Sequence, residues 1–316
     1  MRADEAFRLL LFLGAVGTID VLAVVIIVRR LLARRRPAAG APSPSGVRLL
    51  ERAILTLAGI GLLCMAYGRF VEPFRLEVVR VRVATSRLAP GSQPFRIALI
   101  SDLHSDPRPR LENRLPEAIA GERPDLVLFA GDSINSPGGL PVFRECLTRI
   151  ARIAPTFVVK GNWDVWTAPH LERFAGTGAR ELDGEAVRLD VRGAAIWIAG
   201  VAVENESALD RTLAGMPPDG YRILLHHYPD LIHEAADRKV DLYGAGHTHG
   251  GQVALPFYGA ILTLSRFGKR YEAGLYRERD TWMYVNRGIG MEGGPAPRVR
   301  FCARPELTII DVVPSE

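Results

Sequence analysis

Five short apolar runs in this sequence each end in a cluster of Asp, His, Asn or Gly residues, and this recurrence constrains the fold more than any other feature. The clusters are Ser101–His104, Gly131–Asp132, Gly161–Asp164, His226–His227 and Gly246–Gly251. Ligands of α/β sheets gather at the carboxyl ends of the strands, so clusters that follow five strands can converge in space. The pattern predicts an α/β domain with its functional groups at that edge.

The α/β pattern begins near Glu77, where short β-branched runs start to alternate with helical stretches and turn residues. The sequence predicts strands over 76–84, 95–100, 125–130, 156–160, 194–200, 221–226, 240–244, 282–286 and 307–312. It predicts helices over 111–121, 139–153, 168–176, 207–215 and 229–238. No internal repeat is visible in the sequence, which favours one large domain over a repeat array.

The side chains of the five clusters have the chemistry of a metal site. Asp, His and Asn suit Mn²⁺, Zn²⁺ or iron, and five of the seven histidines in the chain lie in the clusters. The three cysteines, Cys64, Cys146 and Cys302, lie elsewhere and lack ligand spacing, so neither a disulfide framework nor a zinc–thiolate site is expected. Singly, each cluster is better explained by a turn or a capping residue, but their ordered recurrence favours a catalytic metal site.

Two apolar runs precede the α/β region. The first is 20 residues long, between Arg8 and Arg29, and contains one charge, Asp20. The second covers 16 residues from Ala53 to Gly68 and extends to Leu49 if Arg52 reaches the membrane surface. A bilayer-spanning helix needs roughly 20 apolar residues, so the sequence predicts transmembrane helices over about 9–28 and 49–68.

The charge distribution along the chain indicates which partners the protein binds and how it is oriented in a membrane. Residues 1–80 contain 12 Lys and Arg against 6 Asp and Glu, whereas the rest of the chain is near neutral. The large domain therefore lacks the basic footprint of a nucleic-acid-binding protein, and no nucleic-acid partner is expected. The loop between the apolar runs is rich in arginine, which places it in the cytoplasm and the large domain on the outer side of the membrane. Arg69, Arg75, Arg80 and Arg82 favour the opposite orientation, so a cytoplasmic domain stays open.

The order of the motifs resembles that of the calcineurin-like metallophosphoesterase superfamily, in which DxH, GD, GNHD or GNHE, H and GHxH follow one another. Here the set is DLH, GD, GNWD, HHYP and GHTH within residues 97–250, and the likeness continues through YVNRGIG (284–290) to RVRFCARPELTII (298–310). The chain resembles most the membrane-attached bacterial branch, which includes exported phosphodiesterases and a lipid A pathway enzyme that cleaves UDP-2,3-diacylglucosamine. The resemblance implies a four-layer α/β/β/α sandwich, here preceded by two transmembrane helices.

Carried over residue by residue, the resemblance implies two divalent metal ions, with Mn²⁺ favoured and Zn²⁺ or iron as alternatives. One ion would be held by Asp102, His104, Asp132 and His249. The other would be held by Asp132, Asn162, His227 and His247, so that Asp132 bridges the two. His227 is preferred to His226 because it directly precedes the turn Tyr228–Asp230, and His226 is expected to be a buried neighbour.

One position departs from the family pattern. The His of GNHD, which protonates the leaving oxygen or binds the phosphate in many members, is Trp163 here, and an indole cannot supply a proton. Either the substrate has a good leaving group, such as a pyrophosphate or an activated ester, or another side chain is the acid. Asp164 is expected to orient the metal ligands, and Trp163, Asn286 and Arg287 to contact the substrate.

The expected protein is a bacterial inner-membrane, multi-pass phosphoesterase that hydrolyses a phosphodiester or pyrophosphate bond. Its domains are a membrane anchor over 1–70, a linker and first strand over 71–90 and a catalytic domain over 91–316. The substrate is a phosphorylated or nucleotide-linked lipid, with UDP-2,3-diacylglucosamine as one candidate. The alternatives are an exported phosphodiesterase acting on wall or phospholipid headgroups and a silent metal-binding scaffold. The apolar segment Leu255–Tyr276 would receive acyl chains, touch the bilayer or form a core-packed hairpin; the sequence leaves the oligomeric state open.

Overall fold

The computed structural model describes residues 1–34, 44–88, 92–293 and 298–315. The linker expected between Pro37 and Gly46 lies, up to residue 43, outside the described residues. The domain boundary expected at residues 90 and 91 also lies outside them.

Two long helices form the N-terminal region of the described chain. They are α1 (Ala3–Ala33) and α2 (Ser45–Phe70), which pack against each other and are joined near the connecting loop by an ion pair, 2.8 Å long, from Arg30 to Glu51. Both are long and apolar enough to cross a membrane, and most of their large apolar side chains are exposed. A water-soluble protein rarely exposes apolar surface of this extent, and we therefore interpret the two helices as membrane-associated.

The remaining elements form an α/β domain. In chain order its helices are α3 (Leu115–Glu122), α4 (Leu140–Ala151), α5 (Asn162–Thr167), α6 (Leu209–Ala214) and α7 (Ile232–Asp237). Its strands are β1 (Glu77–Thr85), β2 (Phe95–Ile100), β3 (Leu126–Phe129), β4 (Thr156–Val158), β5 (Arg180–Glu181), β6 (Glu185–Val191), β7 (Ala194–Gly200), β8 (Tyr221–Leu225), β9 (Leu242–Ala245), β10 (Ala254–Leu255), β11 (Gly259–Ala260), β12 (Gly274–Glu278), β13 (Thr281–Val285) and β14 (Glu306–Pro314).

Within the described residues, two six-stranded sheets carry the domain. The first has the order β1–β14–β2–β3–β4–β5, and the second has the order β12–β13–β9–β8–β7–β6. Strands β2, β3 and β4 are parallel neighbours in the first sheet, as are β7, β8, β9 and β13 in the second. Each run of parallel strands therefore delivers its carboxyl ends to one edge.

Three hydrophobic cores separate the layers. One lies between the sheets and includes Leu99, Leu128 and Ile223. The second packs α3 and α4 on the first sheet, with Phe129 and Phe143 in contact, and the third packs α6 and α7 on the second sheet around Tyr243. The order of layers is α/β/β/α, as the family resemblance implied.

The nine predicted strands are all present, with bounds shifted by two residues or fewer. The helix predicted over 168–176 is wrong: Pro169 disfavours a helical conformation at Ala168, and the helix lies earlier, at Asn162–Thr167. Strands β5, β6, β10, β11 and β12 were not predicted, because they are short or have mixed, half-exposed sequences.

Candidate active site

The five polar clusters follow strands of both sheets and meet at one end of the sandwich. The loop after β2 carries Asp102 and His104, and the loop after β3 carries Asp132. Helix α5 begins at Asn162, just after β4, while the second sheet contributes the His226 and His247 loops after β8 and β9. Because the carboxyl ends of both parallel runs face this end, residues up to 147 positions apart in the chain become neighbours.

The ligand-type atoms converge closely. Nε2 of His227 lies 3.0 Å from Oδ1 of Asn162, 3.3 Å from a carboxylate oxygen of Asp132 and 4.0 Å from Oδ1 of Asp102. Nε2 of His249 lies 3.4 Å from Oδ1 of Asp102. These atoms are almost fully buried, so the arrangement is a closed cluster rather than a set of surface groups.

The backbone of the cluster is held in rarely occupied conformations. Asp102, His104, Asp132, His247 and His249 all have positive φ, between 40° and 71°. This region is sparsely populated by residues with a Cβ and costs of order 1–3 kcal/mol each, and it persists where surrounding contacts enforce it. Such concentrated strain is typical of a functional site.

A glycine lets two of the loops approach each other. Gly131 has φ of +94°, and a Cβ there would lie 2.5 Å from the backbone nitrogen of Gly161. Gly161 in turn has no room for a Cβ, because one would lie 2.2 Å from Oδ1 of Asp132. The glycine that precedes each polar residue in the GD and GNWD motifs is therefore required by close packing.

Electrostatics favour metal-binding forms of several groups. Burial lowers the pKa of His104 well below its ordinary value and that of His247 to about 3, so both imidazoles are neutral at pH 7. Burial raises the pKa of Asp132 to about 6, whereas for His227 burial is outweighed by the Asp132 carboxylate, which raises the pKa of His227 to about 9. A divalent cation in the same place would displace that proton, because ligation requires ionised carboxylates and neutral imidazoles.

The donor set fits divalent metal ions. Asp102, His104 and His249 bring one ligand atom each within 4.8 Å of one another, and so do Asp102, Asp132 and His227. Within the part of the chain that the structure describes, Oδ1 of Asp102 and both ring nitrogens of His104 are buried without a hydrogen-bond partner. Unpartnered buried polar atoms are costly, and a cation would satisfy them.

A buried carboxylate braces the loops that carry the ligands. Oδ2 of Asp164 accepts hydrogen bonds from the backbone N–H groups of Asp132 and Gly161, both at 2.9 Å, and Oδ1 accepts one from Ser133 at 3.0 Å. Nε of Arg173 lies 3.1 Å from Oδ1, and both side chains are fully buried. Asp164 is therefore placed to position Asp132 rather than to touch a substrate.

The cleft over the cluster has a volume of about 290 Å³. Its walls include Trp163, Trp166, Tyr228, Leu264 and Glu292. The indole of Trp163 packs edge to face with the ring of His104, with 5.7 Å between centroids, and its backbone N–H donates to Asp132 at 2.8 Å. Trp163 thus lies at the place where a substrate would bind, and Trp166 is exposed at the mouth.

Two residues expected to contact the substrate lie beneath the site instead. Asn286 is fully buried, accepts a hydrogen bond from Ser101 at 2.9 Å and donates one to Thr308 at 2.8 Å. The guanidinium of Arg287 is engaged by Glu306 and by Glu77. These contacts join the two sheets, and neither residue is among those that line the cleft.

His226 has the buried position expected of a neighbour. Its Nδ1 lies 2.7 Å from the carbonyl oxygen of Val201, and its Nε2 lies 3.3 Å from a carboxylate oxygen of Glu206. His227, in contrast, faces the cluster, and its Nδ1 is fixed at 2.6 Å from the carbonyl oxygen of Ala130.

The first turn of α1 and the last turn of α2 are bonded to loops that contact histidines of the cluster. The fully buried carboxylate of Glu5, in the first turn of α1, accepts hydrogen bonds from the N–H and hydroxyl of Thr263 at 2.9 and 2.7 Å. The neighbouring Leu264 has its carbonyl oxygen 3.4 Å from Nε2 of His247. At the end of α2, Gly68 accepts a hydrogen bond from the backbone of Arg300, at 2.9 Å.

Arg300 is fully buried and continues this link to the cluster. Its guanidinium donates to the carbonyl oxygens of Gly290 and Ala303, at 2.7 and 2.8 Å, and one nitrogen lies 3.2 Å from Nδ1 of His249. Sequence reasoning assigned no role to Arg300, Arg173 or Glu5. The sequence carries no local signal for them, because each partner lies in another loop.

The segment Leu255–Tyr276 is a small hairpin with an exposed tip. Strands β10 and β11 pair over two residues, Phe257 and Tyr258 protrude between them, and Tyr271 is buried. Of the alternatives for this segment, packing into the core therefore applies to the part around Tyr271 and not to the exposed tip. The tip lies beside α1, because Arg8 donates a hydrogen bond to the hydroxyl of Tyr258 at 3.5 Å.

Comparison with known proteins agrees with this geometry. Residues 95–251 match the model of the calcineurin-like phosphoesterase family. The chain is 32% identical over 254 residues to the metallophosphoesterase YkuE of Bacillus subtilis (strain 168), covering 77% of this chain and 87% of that protein. It is 30% identical over 286 residues to the phosphodiesterase YaeI of Escherichia coli (strain K12), covering 82% of this chain and 95% of that protein.

A shorter likeness involves the UDP-2,3-diacylglucosamine pyrophosphatase LpxG of Chlamydia trachomatis serovar D. It has 35% identity over 95 residues and covers 28% of each chain. The motif order, the four layers and the matches to YkuE and YaeI agree, and the chain belongs to the calcineurin-like phosphoesterases, a family of metal-dependent phosphohydrolases.

Proposed function

We propose that this protein is a membrane-anchored phosphodiesterase that hydrolyses a phosphodiester or pyrophosphate bond of an amphiphilic substrate at the bilayer surface. The observation that carries the proposal is the attachment of the cluster to both apolar helices, through Glu5 and Thr263 on one side and Gly68 and Arg300 on the other. If the helices span a membrane, the cleft opens at its surface. Trp166 and Leu264, which line the cleft and are exposed, then provide an apolar rim for lipid chains.

The same proposal assigns two divalent ions to the cluster. One would be held by Asp102, His104, Asp132 and His249, and the other by Asp132, Asn162, His227 and His247. Mn²⁺ suits this mixture of oxygen and nitrogen ligands, with Zn²⁺ or iron as alternatives. Two such ions lower the pKa of bound water and stabilise the entering and leaving oxygens of an in-line displacement.

The residues of the chain itself supply position and shape. Asp164 holds the Asp132 loop through two adjacent backbone N–H groups. Trp163 closes the cleft beside His104 and cannot protonate a departing alkoxide, which favours a substrate with a good leaving group. Glu292 and Asp230 are carboxyl groups on the cleft wall, but Asp230 already accepts hydrogen bonds from Ser265 and Arg266.

The relatives and the orientation in the membrane both bear on the identity of the substrate. YaeI, which matches over nearly its whole length, is a phosphodiesterase, and this favours a phosphodiester. The charge distribution favours the outer side of a bacterial inner membrane, where a phospholipid or wall headgroup is accessible. UDP-2,3-diacylglucosamine, which is made in the cytoplasm, requires the opposite orientation and is supported by the shorter likeness to LpxG.

The decisive experiment compares products. The purified full chain in mixed micelles with Mn²⁺ is given a phospholipid, UDP-2,3-diacylglucosamine or bis(p-nitrophenyl) phosphate, and the products are identified by mass spectrometry. Chelated protein and Asp132→Ala are the inactive references, and Asp190→Ala, at an exposed ion pair, is the matched control. We expect Asp132→Ala to abolish hydrolysis, because it removes the carboxylate that both ions would share.

Each result has a defined meaning. Cleavage of the phospholipid supports a phosphodiesterase, whereas release of UMP supports a pyrophosphatase, whose substrate would require a cytoplasmic cleft. Metal binding without turnover of any substrate would identify a scaffold and refute the enzymatic proposal. A reporter fused after Glu316 tests orientation: alkaline phosphatase activity supports the outer side, and fluorescence of a cytoplasmic reporter contradicts it.

A further inference from the structure

A second cavity, of about 520 Å³, lies between the end of α2 and the loop that follows the DLH motif. It shares no lining residue with the catalytic cleft within the described residues. Its walls carry four arginines, Arg69, Arg108, Arg110 and Arg298, and the apolar side chains of Phe74 and Met291. We call it the arginine pocket.

The arginine pocket has an excess of positive charge. Asp106 is the carboxylate on the pocket wall, and it pairs with Arg298 at 3.0 Å. Glu112, below the pocket, accepts hydrogen bonds from the backbone N–H groups of Arg110 and Leu111, at 2.6 and 3.0 Å. Asp106 and Glu112 together balance two of the four arginines, so the pocket keeps a net positive charge.

Three of the guanidinium groups lack a carboxylate partner. Among the described residues, no ion pair involves Arg69, Arg108 or Arg110. Nη1 of Arg110 is buried there without a hydrogen-bond partner, and burial lowers the pKa of this guanidinium. An unpaired buried cation is costly, and an anion entering the pocket would offset that cost.

The position of the pocket indicates which anion it meets. Arg69 lies in the last turn of α2, and the exposed rings of Phe70 and Phe74 follow it. At the end of a membrane-spanning helix, an arginine and aromatic rings lie at the level of the lipid headgroups. A phosphate at this level would lie beside the arginine pocket, which Arg69 lines together with Arg108 and Arg110.

We propose that the arginine pocket binds the phosphate of an anionic phospholipid headgroup, as a second lipid site beside the catalytic cleft. The proposal rests on the membrane attachment proposed above. Arginine binds phosphate oxygens through paired N–H groups, and basic groups beside a membrane helix each contribute to anionic lipid binding. The pocket is joined to the catalytic loops, because Nδ2 of Asn135 donates to the carbonyl oxygens of His104 and Met291, at 2.8 and 3.1 Å.

The test measures lipid retention by the full chain in dodecyl maltoside. Dioleoyl phosphatidylglycerol is titrated onto the protein, dioleoyl phosphatidylcholine is the neutral comparison, and bound lipid is counted by mass spectrometry. The variants are Arg108→Gln and the double change Arg108→Gln with Arg110→Gln. Arg152→Gln, an exposed arginine at the end of α4, is the matched control.

We expect the wild type to prefer phosphatidylglycerol, the single variant to bind it about fivefold more weakly and the double variant about 25-fold more weakly. Arg152→Gln should bind like the wild type. Equal affinity for the neutral lipid, or unchanged binding by both arginine variants, would overturn the proposal. Displacement of the lipid by glycerol phosphate at equal affinity would also overturn it, because the site would then take soluble phosphates.

Turnover of bis(p-nitrophenyl) phosphate is measured on the same samples. Turnover equal to that of the wild type shows that a variant is folded and that its weaker lipid binding belongs to the pocket. Absence of turnover in the wild type itself would refute the proposed function but would leave the lipid titration fully interpretable. The single Arg108→Gln change, at an exposed position, provides the result if the double variant does not fold.

Discussion

The brace formed by Asp164 allows a quantitative test. Its two carboxylate oxygens accept three backbone hydrogen bonds of 2.9–3.0 Å and face the buried guanidinium of Arg173. In Asp164→Asn, one oxygen becomes an NH₂ group that points at donors, and Arg173 loses its countercharge. Breaking one partner of a buried ion pair costs about 3–5 kcal/mol. For a domain of this size, this corresponds to a fall in Tm of roughly 6–20 °C.

Thermal unfolding followed by tryptophan fluorescence measures this fall, with Asp190→Asn as the control. Asp190 pairs with Arg188 at 2.8 Å, but both side chains are more than half exposed, so the control should lose at most about 1 kcal/mol. We also expect the apparent affinity of Asp164→Asn for Mn²⁺ to fall about 10- to 100-fold, because the Asp132 loop loses its support. A fall in Tm no larger than that of the control would refute the reasoning.

Two further changes test the geometry of the site. Gly131→Ala should abolish metal-dependent hydrolysis, because its Cβ would lie 2.5 Å from the backbone of Gly161; Gly193→Ala, which also has positive φ but open space around it, should retain hydrolysis. Intact activity in Gly131→Ala would show that the loops can separate. Glu292 is the carboxyl group on the cleft wall that we propose as the acid in place of the motif histidine. Glu292→Gln should then slow cleavage of an alkyl diester about 100-fold and change cleavage of a nitrophenyl diester less than about twofold, because an alkoxide needs a proton and a nitrophenolate does not. An equal effect on both rates, measured by steady-state kinetics, would exclude Glu292 as the acid.

The sequence predicted the strands well because buried parallel strands have a strong local signal. The runs FRIALI and YRILL are apolar apart from one arginine each and end in polar motifs, so their bounds were nearly correct. Edge strand β6 escaped prediction because alternate residues face solvent and its composition is mixed. The helix at Asn162–Thr167 was misplaced because it begins inside the GNWD motif, which was interpreted as a set of site residues, and Gly161 and Asp164 of this motif cap the helix.

The site was predictable to the extent that its residues follow strand ends. Every cluster residue expected as a metal ligand has a place at the carboxyl edge, since parallel strands dictate that convergence. Asn286 and Arg287 also follow a strand, β13, but Asn286 is buried and the guanidinium of Arg287 pairs with Glu306 and Glu77. Position along a strand predicts proximity to the site, and only packing decides which way a side chain faces.

The groups that the sequence did not indicate are charged side chains buried by distant partners. Glu5 is bonded to Thr263, 258 residues away, and Arg300 approaches His249, 51 residues away. A charge can be buried only where partners offset its desolvation, and those partners exist only in the folded chain. Displacement of α1 would break the hydrogen bonds between Glu5 and Thr263, next to His247, and displacement of α2 would break the backbone hydrogen bond from Arg300, whose guanidinium lies beside His249. The helices that would anchor the protein are thus also structural supports of the catalytic site.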